Sequence, residues 1–195
     1  MPDSVSYVIG FQNGSRISNQ GFADIDLENF LAGLNDGLTK EESELADANL
    51  QDLFNRFGAY LTDKILLENE EEAKAFFAEN STKEGVMETA SGLQYEIIEE
   101  GTGAQPTAQD TVVVHYEGSL IDGTVFDSSF DGEPAQFLLG AVIPGWTEGV
   151  SLMKEGATYM LYIPSELGYG KNPRPGGAIQ PNDALIFKVE LIEVK

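Results

Sequence analysis

Proline is distributed so unevenly along this chain that its two halves must differ in secondary structure. Of its eight prolines, one stands at position 2 and the other seven lie within 86–195. A long stretch without proline permits helices, whereas proline and glycine mark turns between short strands. The sequence therefore predicts an α+β protein, with an all-α domain at 1–85 and an antiparallel β domain at 86–195.

Two short helices are predicted at the start of the chain. The first covers about 4–16. Asp26 can accept a hydrogen bond from a backbone N–H and so begin the second helix, and Gly37 can end it. The apolar side chains of this second helix are Leu27, Phe30, Leu31 and Leu34.

A long linking helix is predicted from Ser43 to about Lys83. Thr39 and Glu42 have the spacing of a capping box ahead of it. Apolar residues then recur at three- and four-residue intervals, at Leu50, Leu53, Phe54, Phe57, Leu61 and Ile65. A helix of this length, roughly 60 Å at 1.5 Å per residue, is too long to bury its apolar stripe against two short helices. We therefore expect a homodimer formed through residues 1–85; a small intramolecular three-helix bundle with a frayed acidic tail is the alternative.

The second half has the pattern of several strands and one short helix. Asp122-Gly123 is a hairpin signal, and a helix fits at about 145–153. Residues 185, 187, 189 and 191 are apolar while 188 and 190 are charged, which is the alternation of a strand with one buried face. The predicted strands are Leu93–Glu100, Thr111–Glu117, Ala157–Ile163 and Ala184–Val194.

The charge of the chain excludes several classes of partner. Lysine and arginine number 11 against 33 aspartates and glutamates, a formal net charge of −22. Such a field repels phosphate backbones and anionic lipid surfaces, so we expect no nucleic-acid or membrane binding. The first residues have neither a basic nor an apolar segment typical of a signal peptide. We therefore expect a cytoplasmic location, or a periplasmic one if a leader has been removed.

The chain lacks most of the side chains on which cofactor-dependent or nucleophilic enzymes rely. It has no cysteine and one histidine, His115, which lies on a predicted strand. The carboxylates show no metal-type spacing, and no glycine-rich phosphate loop precedes a helix. We expect no metal and no cofactor, and we interpret His115 as a structural strand residue rather than a catalytic base.

Four separated motifs carry a resemblance to a known family. They are VHYEGSLIDGTVFDSS at 114–129, VIPGWTEGVSLMKEG at 142–156, IPSELGYG at 163–170 and IQPNDALIFKVELIEV at 179–194. In this order, over about residues 90–195, they resemble the FKBP-type peptidyl-prolyl isomerases, the immunophilin domain that binds tacrolimus and rapamycin. The first half is similar to the helical dimerisation module of the bacterial macrophage-infectivity-potentiator-like branch, at 7–14, 26–38 and 75–86 and at the junction 90–103.

The resemblance implies an activity and a site. The activity is cis/trans isomerisation of X-Pro bonds in unfolded or partly folded polypeptides, with folding-helper activity, no cofactor and inhibition by macrolides of the tacrolimus and rapamycin class. A non-catalytic holdase or a dimeric polypeptide-binding module is the alternative function. The implied catalytic residues are Tyr116, Phe126, Asp127, Ile143, Trp146, Tyr169 and Phe187, and the implied substrate-binding residues are Phe137, Val142 and Ile179.

Particular roles are also implied by the resemblance. Trp146 would form the floor under the proline ring, and the Ile143 N–H and the Tyr169 hydroxyl would bond substrate carbonyls. The chain departs from many relatives after Tyr169, where it has Asn172-Pro173-Arg174-Pro175 instead of a histidine-containing loop. It also departs in the helical module, whose one methionine is Met1.

Overall fold

The computed structural model describes residues 2–19, 25–40 and 49–195. The chain forms two compact units, 1–61 and 62–195. The predicted domain boundary between residues 85 and 86 remains a prediction, and one long helix, Leu50–Asn80, extends from the first unit into the second. No helix within the described ranges is long and apolar enough to cross a membrane.

The first unit contains two helices and the start of a third. Helix α1 is Pro2–Asn19 and helix α2 is Leu27–Thr39. The side chain of Asp26 accepts a hydrogen bond from the Asn29 N–H at 3.0 Å, as predicted for a residue that begins a helix. Helix α2 continues two residues beyond Gly37, the predicted end.

The predicted capping role of Thr39 remains a prediction. Thr39 is the last residue of α2, and its hydroxyl donates to the Asn35 carbonyl at 2.7 Å. Its predicted partner Glu42, like Ser43 at the predicted helix start, lies outside the described residues. A threonine hydroxyl can bond the carbonyl four residues earlier in a helix, and here that local bond is formed.

Helix α3 is Leu50–Asn80, a length of roughly 46 Å at 1.5 Å per residue. The side chain of Asn49 accepts from the Asp52 N–H at 3.1 Å and caps the start. The helix ends three residues before the predicted Lys83. Its residues from Thr62 onward belong to the second unit.

Among the described side chains of 1–61, none is buried. Instead, large apolar side chains of all three helices are exposed: Val5, Tyr7, Val8, Ile9, Phe11, Leu27, Leu31, Leu34, Leu38, Leu50, Leu53, Phe54 and Tyr60. Scattered exposed apolar residues are ordinary, but this number on short helices is not. The described part of this unit therefore has apolar faces that need a partner.

The second unit is built on a seven-stranded antiparallel sheet. Its order is β1-β2-β6-β7-β3-β4, and β5 also pairs with β3. The four predicted strands are present within a few residues of their predicted bounds, and three shorter ones accompany them. The strands are β1 Val86–Glu88, β2 Gln94–Glu99, β3 Thr111–Leu120, β4 Val125–Ser128, β5 Ala135–Leu138, β6 Thr158–Ile163 and β7 Leu185–Val194.

The sheet wraps around one short helix, α4 (Pro144–Ser151), as predicted. Pro144 is the first residue of this helix, where a backbone N–H would have no acceptor within the helix. Proline therefore loses no hydrogen bond at this position and favours a helix start. Trp146 and Val150 are buried on the side that packs on the sheet. The predicted inward residues of β7, Leu185, Phe187, Val189 and Leu191, are each 4% exposed or less, and Lys188 and Glu190 face solvent.

The end of α3 packs against β2, the strand next to the edge strand β1, through a buried amide pair. Asn80 donates through Nδ2 to Gln94 Oε1 at 3.0 Å, and the two side chains are 0% and 2% exposed. Gln94 Nε2 donates to the Phe77 carbonyl at 3.0 Å and to Glu88 Oε2 at 2.8 Å. The last turns of the helix thus form part of the same packed body as the sheet.

Candidate active site

Side chains from six parts of the second unit converge on one cavity of about 270 Å³. They come from β3, β4, β5 and β7, from the start of α4, and from the loop after β6. The lining residues are Tyr116, Phe126, Asp127, Phe137, Ala141, Val142, Ile143, Trp146, Tyr169 and Phe187. Nine of the ten residues implied by the resemblance therefore lie around one space.

The tenth, Ile179, does not line the cavity. It is half-buried and packs against the core cluster. Ala141, the last residue of a 3₁₀ turn at Leu139–Ala141, lines the cavity instead. An alanine beside a predicted site residue carries no sequence signal of its own, and sequence reasoning missed it.

Trp146 lies at the centre of the aromatic lining and is 4% exposed. Three rings meet it nearly at right angles: Tyr116 at 5.3 Å and 86°, Phe137 at 5.6 Å and 82°, and Phe187 at 5.3 Å and 87° between centroids and planes. Edge-to-face contacts of this kind are favourable and directional. They hold the indole in one orientation.

Glycines allow the lining to pack this closely. A Cβ at Gly118 on β3 would lie 2.6 Å from both the Phe126 and Phe187 rings. On α4, a Cβ at Gly145 would lie 2.5 Å from the Ile163 side chain. Glycine within a strand is a sequence signal for close approach of a neighbour, and at position 118 it could have been read that way.

Tyr116 and Asp127 form a hydrogen-bonded pair in the cavity wall. The Tyr116 hydroxyl donates to Asp127 Oδ2 at 2.6 Å. Burial, followed by the hydrogen bond and the negative charge of Asp127, raises the pKa of Tyr116 to about 12. The phenol is therefore neutral at physiological pH, and the carboxylate keeps it oriented.

Two potential donors to a ligand lie on the lining. Within the described ranges, the Ile143 N–H has no hydrogen-bond acceptor, and its carbonyl accepts from the Trp146 N–H at 3.0 Å. Tyr169 is 46% exposed and belongs to a loop between β6 and β7. Residues 172–175, where the sequence departs from many relatives, do not line the cavity.

His115 lies on β3 but outside the cavity. Its Nδ1 is 3.2 Å from Ser129 Oγ, and its ring stacks on Phe130 with centroids 5.4 Å apart. Ser129 Oγ also accepts from the Tyr116 N–H at 2.9 Å. These contacts are those of a strand residue with a satisfied ring. Within the described ranges, no group of three or more carboxylates and histidines is placed to hold a metal ion.

An antiparallel sheet wrapped around one short helix, with an aromatic cavity at their junction, is an α+β domain with a concave apolar binding site. The family model for "FKBP-type peptidyl-prolyl cis-trans isomerase" matches residues 102–192, and the model for the "Domain amino terminal to FKBP-type peptidyl-prolyl isomerase" matches residues 2–97. The chain belongs to the FKBP-type peptidyl-prolyl cis–trans isomerases and is an enzyme of that type.

Individual relatives are similar in sequence to this protein over nearly the whole chain. "Outer membrane protein MIP" of Legionella longbeachae is 43% identical over 202 residues, covering 99% of this chain and 85% of its own. The isomerase FkpA of Aeromonas hydrophila is 43% identical over 203 residues, covering 97% and 75%. The crystal structure of FkpA from Escherichia coli matches with a TM-score of 0.74 at 36% identity, covering 98% of this chain and 95% of that one. These comparisons do not support the expected cytoplasmic location.

The pKa of Tyr116 should be visible in an alkaline titration. Its ordinary value is 10.0 and its value here is about 12, so the unfolded chain loses this proton first and stability falls between pH 10 and 12. Burial also raises the pKa of Tyr159 and of Tyr162. Phenolate absorbance should therefore show a late component that Tyr116→Phe reduces and part of which Asp127→Asn moves to lower pH. The control Tyr7→Phe, at an exposed helix position, should leave that component unchanged. Tyr116→Phe with an unaltered late component would contradict the assignment.

Proposed function

We propose that the cavity around Trp146 is the isomerase site and that it binds the X-Pro segment of a proline-containing polypeptide. The support for this proposal is the indole held between three perpendicular rings, which offers a flat, apolar surface to a proline ring. Phe126, Val142 and Phe137 complete the apolar lining. Ile179 remains a predicted substrate contact outside this lining.

The reaction needs no bond making, and the lining suits it. Rotation of an X-Pro amide meets a barrier of about 18–20 kcal/mol because resonance must be broken. The planar amide is more polar than the twisted one, so a dry aromatic cavity disfavours the ground state more than the transition state. A thousandfold acceleration requires about 4 kcal/mol of such differential binding.

Hydrogen-bond donors at the edge of the cavity would hold the twisted geometry. The Ile143 N–H has no acceptor among the described residues, so a substrate carbonyl can take that place. The Tyr169 hydroxyl would bond a second carbonyl. Asp127 acts on Tyr116, whose neutral phenol it orients, and so keeps one wall of the cavity in place.

An isomerisation assay with a short proline peptide tests this site. Tyr169→Phe should lower kcat/KM roughly three- to tenfold, since one hydrogen bond is worth about 1 kcal/mol. Tyr95→Phe, which changes a tyrosine outside the lining, should keep the normal rate. Rapamycin should inhibit the unaltered chain and quench the fluorescence of its one tryptophan. A normal kcat/KM for Tyr169→Phe, or insensitivity to rapamycin, would contradict the assigned site.

We also propose that the chain is a homodimer formed through its amino-terminal helices. The exposed apolar side chains of α1, α2 and the start of α3 support this, because none of the described side chains there is buried. A second copy is the simplest partner that carries the same apolar faces. Unfolded clients could bind the same faces when these are free.

Light scattering measures this assembly directly. The chain mass is 21.1 kDa, and the full chain should give twice that value. Phe54→Glu places a charge on an exposed apolar position of α3 and should shift the equilibrium to monomer. Gln51→Glu adds the same charge at a polar position of the same helix and should leave the dimer intact. A monomeric unaltered chain at micromolar concentration would end this proposal.

For location, we propose the cell envelope. The support is the similarity to a relative named as an outer membrane protein over 99% of this chain. Fractionation of the source cells followed by immunoblotting would contradict this if the protein were found with cytosolic markers.

A further inference from the structure

The loop that carries Tyr169 is closed at its base by one asparagine. The Asn182 N–H donates to the Gly170 carbonyl at 3.0 Å, and the Gly170 N–H donates to the Ser165 carbonyl at 2.9 Å. Asn182 has a left-handed backbone, with φ of 63°, and is 7% exposed. Asparagine adopts this conformation more readily than most residues. Both the N–H and the carbonyl of Gly170, the residue after Tyr169, are therefore hydrogen-bonded.

Helix α3 holds the same asparagine from the other side. Asn182 Nδ2 donates to the Leu66 carbonyl at 3.2 Å. Asn69, one turn further along the helix, donates through Nδ2 to the Pro181 carbonyl at 2.8 Å and to Asp183 Oδ1 at 2.7 Å. The two hydrogens of one amide therefore bridge the residues on either side of Asn182.

The loop between these anchors has little other support. Most residues of 171–178 are exposed, and Gly176 has a φ of 80°. A glycine-containing exposed segment is free to sample many conformations unless its ends are held. Tyr169 lies between the 3₁₀ turn Ser165–Leu167 and Gly170, so the carboxyl-terminal side of its backbone depends on what holds Gly170 and Asn182.

We propose that Asn69 on helix α3 is a positioning residue for the isomerase site, acting through Asn182 and Gly170 on Tyr169. This inference rests on the proposed function, in which the Tyr169 hydroxyl bonds a substrate carbonyl. Asn69 lies within 2–97, the part matched by the amino-terminal domain model, and outside 102–192, the part matched by the isomerase model. The amino-terminal region thereby contributes to the geometry of a site whose lining it does not reach.

Asn69→Ala in the full-length chain tests the inference, with Asn55→Ala as the matched control. Asn55 lies on the same helix, within the first unit, and its side chain accepts from Gln51 at 3.0 Å. A mutation far from the site lowers catalytic efficiency when it displaces a residue that contacts the substrate. We expect Asn69→Ala to lower kcat/KM about three- to tenfold and to speed amide hydrogen exchange at Gly170 and Asn182, and we expect Asn55→Ala to change neither.

A double-mutant cycle separates positioning from a general loss of structure. If Asn69 acts through Tyr169, adding Asn69→Ala to Tyr169→Phe should cost little more than Tyr169→Phe alone. Independent, multiplying losses would overturn the inference, as would a normal kcat/KM for Asn69→Ala while Tyr169→Phe is impaired. A normal rate for Tyr169→Phe would instead remove the Tyr169 assignment itself, and the inference with it.

Asn182→Gly gives a second route if Asn69→Ala does not fold. Glycine keeps the left-handed backbone and its N–H to Gly170, and it removes the side-chain bond to Leu66. The same loss of kcat/KM and the same non-additivity with Tyr169→Phe are expected. An unchanged kcat/KM in a folded Asn182→Gly protein would contradict the inference that helix α3 positions the loop that carries Tyr169.

Discussion

Trp146→Leu is expected to lower kcat/KM for a proline peptide about 100-fold, or about 2.7 kcal/mol of transition-state stabilisation. The indole is the flat surface of the cavity, and three rings meet it nearly at right angles. Leucine keeps the site apolar but removes that surface and the three edge-to-face contacts. Turnover and rapamycin binding by the purified variant measure the effect.

Tyr159→Leu is the matched control for this variant. Tyr159 is also 4% exposed, stacks on Tyr95 at 6.0 Å and does not line the cavity. It should lower the melting temperature by a comparable amount while keeping kcat/KM within about twofold. If both variants lost activity equally, the loss at Trp146 would reflect weakened folding, and the cavity would not be the site.

Gly101→Ala is expected to destabilise the fold by about 3 kcal/mol. Gly101 is buried, and a Cβ there would lie directly against the Lys154 carbonyl oxygen, 2.5 Å from the Glu155 carbonyl oxygen and 2.7 Å from the Ala157 nitrogen. All three atoms are backbone, so no side chain can rotate away. The neighbouring Thr102 N–H also donates to the Glu155 carbonyl at 3.1 Å, which ties the two segments together.

Urea unfolding measures this loss as a lower midpoint at unchanged slope. Gly132→Ala is the control, because its Cβ would have no heavy atom closer than the Ser129 carbonyl oxygen at 3.9 Å. It should leave the free energy of unfolding within about 0.5 kcal/mol of the unaltered value. An unchanged midpoint for Gly101→Ala would mean that residues 101 and 154–157 do not approach as described.

Local pattern was sufficient to predict most of the second unit. The alternation along β7 is a property of neighbouring residues, so it predicted which of them are buried. Apolar periodicity likewise predicted α3. Local pattern could not predict the aromatic lining, because its residues are far apart in sequence. The family resemblance indicated which of them share one site.

Other features depend on contacts that no local pattern contains. The spacing of Thr39 and Glu42 predicted a capping box and gave no sign of the local bond from the Thr39 hydroxyl to the Asn35 carbonyl. The bonds of Asn69 reach residues more than a hundred positions away. An asparagine on a helix is usually a solvated residue, and its sequence neighbourhood gave no reason to interpret it otherwise.

Gln94 makes the β domain dependent on the helix that precedes it. In a chimaera that joins this sheet to an unrelated amino-terminal segment, the amide of Gln94 would lose Asn80 and the Phe77 carbonyl together. The Gln94 oxygen and one of its amide hydrogens would then be unpaired, with only the bond to Glu88 left, unless solvent entered or an apolar residue replaced Gln94. Grafts of this isomerase onto other partners should therefore carry the final turns of α3 with them.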